Sequence, residues 1–381
     1  MRQNRKLREI AIIAAGQGAP QGEDNYCVDG TPFIKAGNLI ELINGKAETE
    51  VQKVNEQVAR NHKLKKYPQG TVLFAKSGMS CMKGYVYQLK NPCYVVSHLA
   101  CIIPKAIKGE YLKYYFEFHK PNSLVKDEAY PSISLLDIGE LSISYGSEAE
   151  QEEIVRNLDK INRIINKRRL EIQKIDDLVK SQFIEMFGDM ASNDKCWDIV
   201  PLSEIAEYFN GLTYKPENVS DDGLIVFRSS NIQDSELDFA DIVRVDSKVK
   251  EKLFVKDGDI LMCSRNGSAK LVGKVAEINR LKEPATFGAF MMVIRSAYPK
   301  YLLTYFKLPV FREQIKVGAT TTINQITSSM LDKIRLPLPP QVLINEYSQF
   351  VEQTDKSKFR IKQSLEKLEK CYKALLQKYF G

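Results

Sequence analysis

The chain carries one arrangement twice, and this repeat constrains the fold more than any other feature. A globular stretch followed by a long helical stretch closing on Phe-Gly runs to Gly188, and the same order recurs from about Asp189 to Gly381. LVKSQFIEMFG ends the first half and KCYKALLQKYFG the second, so that at an offset of 193 residues Lys180 falls on Lys373, Phe187 on Phe380 and Gly188 on Gly381. Two copies of one domain, each followed by one helix, place two similar surfaces at a set separation. Such a chain suits a target with two parts.

At 381 residues the chain exceeds one ordinary core, and roughly 150 residues per domain leaves two domains plus the helices. With 44% apolar and 27% charged residues each copy can bury a core, and no stretch has the composition of a disordered tail. No run of about 18 uncharged apolar residues occurs, and the opening MRQNRKLREIAIIAAGQG has too short an apolar stretch for a signal peptide. No membrane partner is expected, and the expected location is cytoplasmic. The seven cysteines are odd in number, scattered and without a CxxC pair, which reads as reduced, mostly buried thiols. The net charge of +7 divides as +5 in 1–146, −1 in 147–188, 0 in 189–340 and +3 in 341–381. This mild excess permits nucleic-acid binding and does not require it.

The globular copies match at successive landmarks. LREIAIIAAGQG (Leu7 to Gly18) pairs with LSEIAEYFNG (Leu202 to Gly211), and PQGTVLFAKSG (Pro68 to Gly78) with KDGDILMCSRNG (Lys256 to Gly267), a turn, a short apolar strand and a polar Gly loop. VVSHLACIIP (Val95 to Pro104) pairs with TFGAFMMVIR (Thr286 to Arg295) as an apolar run of strand length, which makes His98 an interior residue. EYLKYYFEF (Glu110 to Phe118) and KYLLTYFKL (Lys300 to Leu308) predict a short aromatic helix, and 132–144 and 324–339 lead to the long helices. Short strands, turns and a few small helices predict an α+β fold of two tandem, mixed, strand-rich domains.

The helices carry the strongest periodicity. Ile154, Leu158, Ile161, Ile165, Arg168, Ile172, Ile175, Val179, Gln182 and Met186 alternate steps of four and three. Tyr347, Val351, Thr354, Lys358, Ile361, Leu365, Leu368, Tyr372, Leu375 and Tyr379 repeat them in the same register. A 3.5-residue period over about five heptads predicts that the two helices pair as an antiparallel coiled coil, each roughly 60 Å long at about 1.5 Å per residue. Ser147 with Glu150 forms a capping-box pattern, Pro339-Pro340 precede the second helix and Gly188 is a natural stop. Arg168 and Lys358 interrupt the seam; their stems can lie along it with the charge in water, or they can fix the register. The expected boundaries are 1–146, 147–188, 189–340 and 341–381.

Local catalytic motifs fail one by one. Asn91-Pro92-Cys93-Tyr94 approaches the base-holding loop of a DNA methyltransferase but lacks its middle proline and reads as a turn. Gly16, Gly18 and Gly22 fit neither the dinucleotide nor the Walker spacing. Glu171 and Lys174, residue types a nuclease uses, sit on the heptad helix, where a solvated face is the simpler reading. His62, His98 and His119 show no metal-ligand spacing, and no GxSxG occurs. No catalytic residue, cofactor or metal is therefore expected.

Polar loops at equivalent places remain. Lys76, Ser77 and Lys83 follow a strand in the first copy; Ser264, Arg265, Asn266, Lys270 and Lys274 follow its counterpart in the second. Arg228 with Asn231, and Thr322 with Asn324 and Gln325, have similar character. Arg, Asn and Gln can read purine edges by paired hydrogen bonds, while Lys, Ser and glycine backbone suit phosphates. These residues are the candidate DNA contacts.

The tandem arrangement, the segments Gly70 to Gly78 and Gly258 to Gly267, the helix ends Phe187-Gly188 and Phe380-Gly381, Trp197 with Leu202, Leu336 to Pro340, and Glu150-Gln151 with Ile154 together resemble the specificity (S) subunits of Type I restriction-modification systems. The resemblance spans the whole chain; Gln341-Val342-Leu343-Ile344 departs from it at the start of the second helix. It implies a non-catalytic subunit whose two target-recognition domains each read one half of a split sequence in double-stranded DNA. The helices would be a spacer on which methyltransferase (modification) subunits dock, with motor-nuclease (restriction) subunits joining the complex. A Type IIB-like system uses similar chains, and a DNA methyltransferase with unrecognised motifs is the enzymatic alternative.

Overall fold

The computed structural model describes residues 2–279, 281–315 and 324–381. The chain divides into two compact units: residues 1–169 with 363–381, and residues 170–362. Each unit therefore holds one globular part, the start of the helix that follows it and the end of the other helix. The central helix is Glu148–Phe187 and the terminal helix Gln341–Phe380.

In unit 1 a four-stranded antiparallel sheet has the order Ala11–Ala15, Leu99–Pro104, Val72–Ala75, Val86–Gln88. A three-stranded sheet places Thr31–Ile34 between Lys53–Val54 and Tyr94–Val95, the last pairing being parallel. Unit 2 repeats both: Ala206–Asn210, Met291–Ser296, Ile260–Cys263, Val275–Glu277 in the larger sheet, and Val219–Phe227 between Val243–Val245 and Ala285–Phe287 in the smaller. A two-stranded ladder closes each globular part at its base, Gln3–Lys6 on Ser142–Tyr145 and Asp198–Pro201 on Arg335–Leu338. The central strand Ile260–Cys263 is fully buried, as a strand covered on both faces should be.

The apolar run read as one strand in each copy is two strands in two different sheets. Tyr94–Val95 belongs to the smaller sheet and Leu99–Pro104 to the larger; Ala285–Phe287 and Met291–Ser296 divide in the same way. Glycine makes the crossing possible. A Cβ on Gly16 would lie 2.1 Å from the Val96 carbonyl oxygen, and one on Gly211 2.1 Å from that of Gly288, so only glycine lets the neighbouring strand pass so close. Apolar content set the first reading because it does not reveal which sheet each half enters.

The helix ends explain the repeated Phe. In unit 2, Phe183, Phe187, Tyr301 and Tyr347 are fully buried and pack ring against ring, with Phe187 and Tyr301 centroids 5.2 Å apart. In unit 1, Phe380 meets Tyr111 at 5.1 Å and Tyr115 at 6.2 Å. Each closing Phe thus docks on the aromatic helix of the unit that its own preceding globular part does not belong to. Gly188 takes φ +81°, the left-handed conformation of a helix stop, and the Trp197 indole N–H donates to the Phe187 carbonyl at 3.0 Å. At the other end only half of the capping box forms. The Glu150 amide donates to Ser147 Oγ at 3.3 Å, while its carboxylate accepts from Arg2 Nε at 2.8 Å.

Every one of the twenty seam positions is buried or half-buried. Within unit 1, Asn157 Nδ2 donates to the Tyr379 hydroxyl at 3.2 Å and Arg169 meets Glu369 at 2.6 Å. Within unit 2, Lys358 meets Asp176 at 2.6 Å and Glu236 at 3.2 Å, and Lys362 also holds Glu236. The Lys358 side chain is only 13% exposed, so it fixes the seam rather than reaching water. Burial pushes its ammonium pKa down, but Asp176 and Glu236 outweigh this and hold it above the usual lysine value. Burial likewise pushes the Glu236 carboxyl up, and Lys362 and Lys358 outweigh it and hold it below its usual range. The lowered carboxyl contributes stability that is lost as pH falls through its folded pKa, the raised lysine stability that is lost as pH rises through its own. The network is thus fully present between about pH 4.3 and 10.4. Lys358→Ala leaves two carboxylates at the seam without this cation; because both stay half-exposed, the loss is put at about 1–3 kcal/mol, below that of a fully buried pair. Hydrogen exchange in 170–187 and 341–362 should rise accordingly, whereas Lys370→Ala, in an exposed pair with Glu366, should change exchange little.

Candidate nucleic-acid interface

In both units the strand-to-strand crossing builds a small surface where the candidate residues gather. In unit 2, strand Ile260–Cys263 runs out into Ser264, whose amide donates to the Phe290 carbonyl at 2.9 Å and whose carbonyl accepts from Ile326 at 2.7 Å. The next two residues pair antiparallel with the approach to the terminal helix, Arg265 opposite Gln325 and Asn266 opposite Asn324. Arg265 Nη2 donates to Gln325 Oε1 at 2.9 Å, and its guanidinium lies 5.9 Å from the centroid of the Phe290 ring, which is 59% exposed. Burial pushes the Cys263 thiol pKa up, so the thiol keeps its proton and leans on the Arg265 carbonyl at 3.6 Å. It braces the turn.

Unit 1 builds the same node from different side chains. The Lys76 amide donates to the His98 carbonyl at 2.9 Å, the Lys76 carbonyl accepts from Ile133 at 2.7 Å, and Ser77 bridges to Ser132. These bonds correspond one for one to those of Ser264, Phe290, Ile326, Arg265 and Gln325. Ser77, His98 and Ser132 therefore stand where unit 2 has Arg265, Phe290 and Gln325. Ser77 Oγ and His98 Nδ1 are hydrogen-bonded at 2.8 Å, and Met79 and Tyr130, two residues along the chain from Ser77 and Ser132, are 69% and 82% exposed.

His98 is exposed at the crossing, and its expected interior position is corrected. His98, Phe290 and Ser132 belong to the node and were not among the candidates expected from the sequence. The available signal was that small or polar residues interrupt both apolar runs, Ser97-His98 in one and Gly288-Ala289 in the other, one position apart once the strands are aligned.

The remaining candidates sort by what already holds them. Lys83 and Lys270 are exposed and Lys76 is half-buried. Asn266 spends its side-chain oxygen on the Ser268 amide at 3.0 Å. Lys274 reaches inward to the Ile232 carbonyl at 3.2 Å, and Ser264 is only 6% exposed. Arg228 is paired with Asp241 at 2.8 Å. Asn231 is fully buried: its oxygen accepts from the Arg228 amide at 2.8 Å and its amide donates to the carbonyls of Asp238 at 2.9 Å and Asp241 at 3.0 Å. Asn231 and Ser264 thus hold the loops from inside and are not presented on the surface, and the half-buried Lys274 turns its ammonium inward. Thr322 lies outside the described residues. Asn91 of the methyltransferase-like tetrapeptide donates to the buried carboxylate of Glu48 at 3.0 Å, an ordinary turn lock. Among the described residues no group of three or more His, Cys, Asp or Glu is placed to hold a metal ion, and no helix is long and apolar enough to cross a membrane.

The family model described as the Type I restriction modification DNA specificity domain matches residues 2–174 and again 194–370. The chain belongs to this DNA specificity family. Each matched span contains one node, Ser77, His98 and Ser132 in the first and Arg265, Phe290 and Gln325 in the second. Curated relatives include the Type I restriction enzyme StySPI specificity subunit of Salmonella potsdam and the EcoKI specificity subunit of Escherichia coli, each 30% identical over 193 residues. These alignments take in 47% of this chain but only 42% and 41% of the two relatives. The solved Type I restriction-modification S subunit from M. genitalium shares the fold over 100% of this chain and 96% of its own, with a TM-score of 0.58 at 15% identity.

Because Asn231 satisfies three backbone groups, Asn231→Ala should lower the free energy of urea unfolding by about 1–3 kcal/mol. Asn266→Ala, whose oxygen serves one exposed turn, should stay within about 0.5 kcal/mol of the parent.

Proposed function

We propose that the chain is the DNA-specificity subunit of a restriction-modification complex, acting in the cytoplasm. Residues 1–146 and 189–340 are target-recognition domains, each reading one half of a bipartite site in double-stranded DNA. Residues 147–188 and 341–381 form the antiparallel coiled coil that spaces them and offers a docking site to methyltransferase subunits, with restriction subunits joining the complex. The chain itself is non-catalytic and takes no cofactor; methyl transfer, base flipping and cleavage belong to its partners.

One observation carries this reading: the two matched spans build the same backbone node and fill it with different side chains. A constant scaffold with variable side chains is what reading two different half-sites requires. The coiled coil is supported by all twenty heptad positions being buried or half-buried and by the order of contacts, in which 157 and 169 meet 379 and 369. Lys76, Lys83 and Lys270 are assigned to phosphates; Ser77, Arg265, Asn266, Asn324 and Gln325 are assigned to the groove, beside His98 and Phe290. Arg228 joins them only if DNA displaces Asp241.

Exchanging residues 195–335 for those of another family member, in the complex with modification subunits, should change the methylated sequence in one half-site and leave the other intact. A change in both halves would refute the modular reading, and an unprotected duplex in footprinting would refute DNA recognition. Methyl transfer by the purified chain alone, given DNA and S-adenosylmethionine, would favour the enzymatic alternative. Lys83→Ala and Lys270→Ala should each weaken binding to all sequences alike and reduce the slope of log affinity against log salt by about 1.

A further inference from the structure

We propose that Arg265 is the specificity-determining residue of unit 2 and reads a guanine in the half-site that this unit recognises, with Phe290 and Gln325 orienting it. The inference rests on the DNA-recognition reading above and goes beyond it by naming a residue, a base and an asymmetry between the halves.

Arg265 differs from its neighbours in what holds it. Arg228, Arg244 and Arg295 are each spent on a carboxylate, of Asp241, Glu283 and Asp259 respectively. Among the described residues Arg265 has no carboxylate partner. Its side chain meets the neutral amide of Gln325 and the ring of Phe290, and the residue is exposed. One hydrogen bond to Gln325 uses one of five guanidinium N–H donors, so the fork needed for guanine O6 and N7 is still available. An unneutralised guanidinium steadied by a neutral acceptor and an aromatic face is arranged to meet an outside partner with paired acceptors. The Phe290 ring, 59% exposed, costs apolar surface in water. Beside a base edge it meets a thymine methyl or a base step instead.

The equivalent place in unit 1 cannot make this contact. Ser77 has one hydroxyl, already shared with His98 Nδ1, and Ser132 offers one more. Neither supplies two parallel donors, so this node reads its half-site without an arginine–guanine pair.

The test selects bound sequences from random duplexes with the full chain in complex with its modification subunits, and the parent's unit 2 half-site is assigned by the exchange of residues 195–335. That half-site should contain a guanine whose preference falls on the order of 10- to 100-fold in Arg265→Ala, the discrimination of one bidentate pair. Arg265→Lys, which keeps the charge but not the fork, should relax the same position while retaining overall affinity. The other half-site should be unchanged in both variants, which also shows that the protein is folded. An unaltered motif with uniformly weaker binding makes Arg265 a phosphate contact and overturns the inference, as does a unit 2 half-site without guanine. In both cases DNA recognition itself stands. A parent that selects no bipartite motif overturns both readings.

Discussion

Each unit's surface hangs from the short stretch in which the chain leaves one sheet and joins another. The Val96 and Gly288 amides make the last bonds to the smaller sheet, at Ile34 and Phe227, and the backbone groups that follow need other partners. The His98 and Phe290 carbonyls find their donors in the amides of Lys76 and Ser264, the first residues beyond the central strand of the larger sheet. These bonds tie the crossing to the strand end, the Arg265 amide adding a second donor to the Phe290 carbonyl, and the Ile133 and Ile326 amides then bring in a third segment. Because the backbone bonds recur in both units whatever the side chains, the side chains that add to them, Ser77 on His98 in one and Arg265 on Gln325 in the other, are free to differ. Ser, His and Ser in one copy and Arg, Phe and Gln in the other sit on equivalent hydrogen bonds.

A second constraint acts on the helices. Unit 1 is made from two pieces of chain, 1–169 and 363–381, whereas unit 2 is the continuous stretch 170–362, yet each contains the end of a helix that began in the other. The borrowed end is anchored by aromatic packing, Phe187 on Tyr301 and Phe380 on Tyr111, which is why the Phe-Gly repeat survives where the surrounding helix surface has diverged. Charge refines what packing sets. Lys358 meets Asp176 from the central helix and Glu236 from the short hairpin Ile232–Gln233 with Glu236–Leu237, so one ammonium joins three elements of unit 2.

Local signals were legible and long-range ones were not. The long helices followed from a 3.5-residue period, and the short strands and aromatic segments from apolar runs matched between the copies, which are properties of neighbouring residues. The role of Lys358 could not be read, because Glu236 is 122 positions away and nothing near either residue announces the other. His98 was misread because an apolar run looks the same whether it stays in one sheet or changes to a second. Asn231 was misread for the converse reason: a polar residue in a glycine-poor loop looks the same whether its amide faces water or three backbone groups. Arg265, Asn324 and Gln325 were recognised as candidates, but their pairing across a two-residue ribbon needed the fold.

The borrowing of helix ends also sets an order of events during synthesis. Residues 1–169 leave the ribosome first, but the segment that completes their unit is 363–381. The 193 residues of 170–362 must be made in between, which at about 5–20 residues per second takes on the order of 10–40 s. Throughout that interval Tyr111, Tyr114 and Tyr115, with the seam residues Ile154 and Leu158 on the neighbouring helix, lack the packing of Tyr372, Leu376 and Phe380. The unit made first is therefore the unit finished last, and the nascent chain carries an uncovered aromatic face until its final helix arrives.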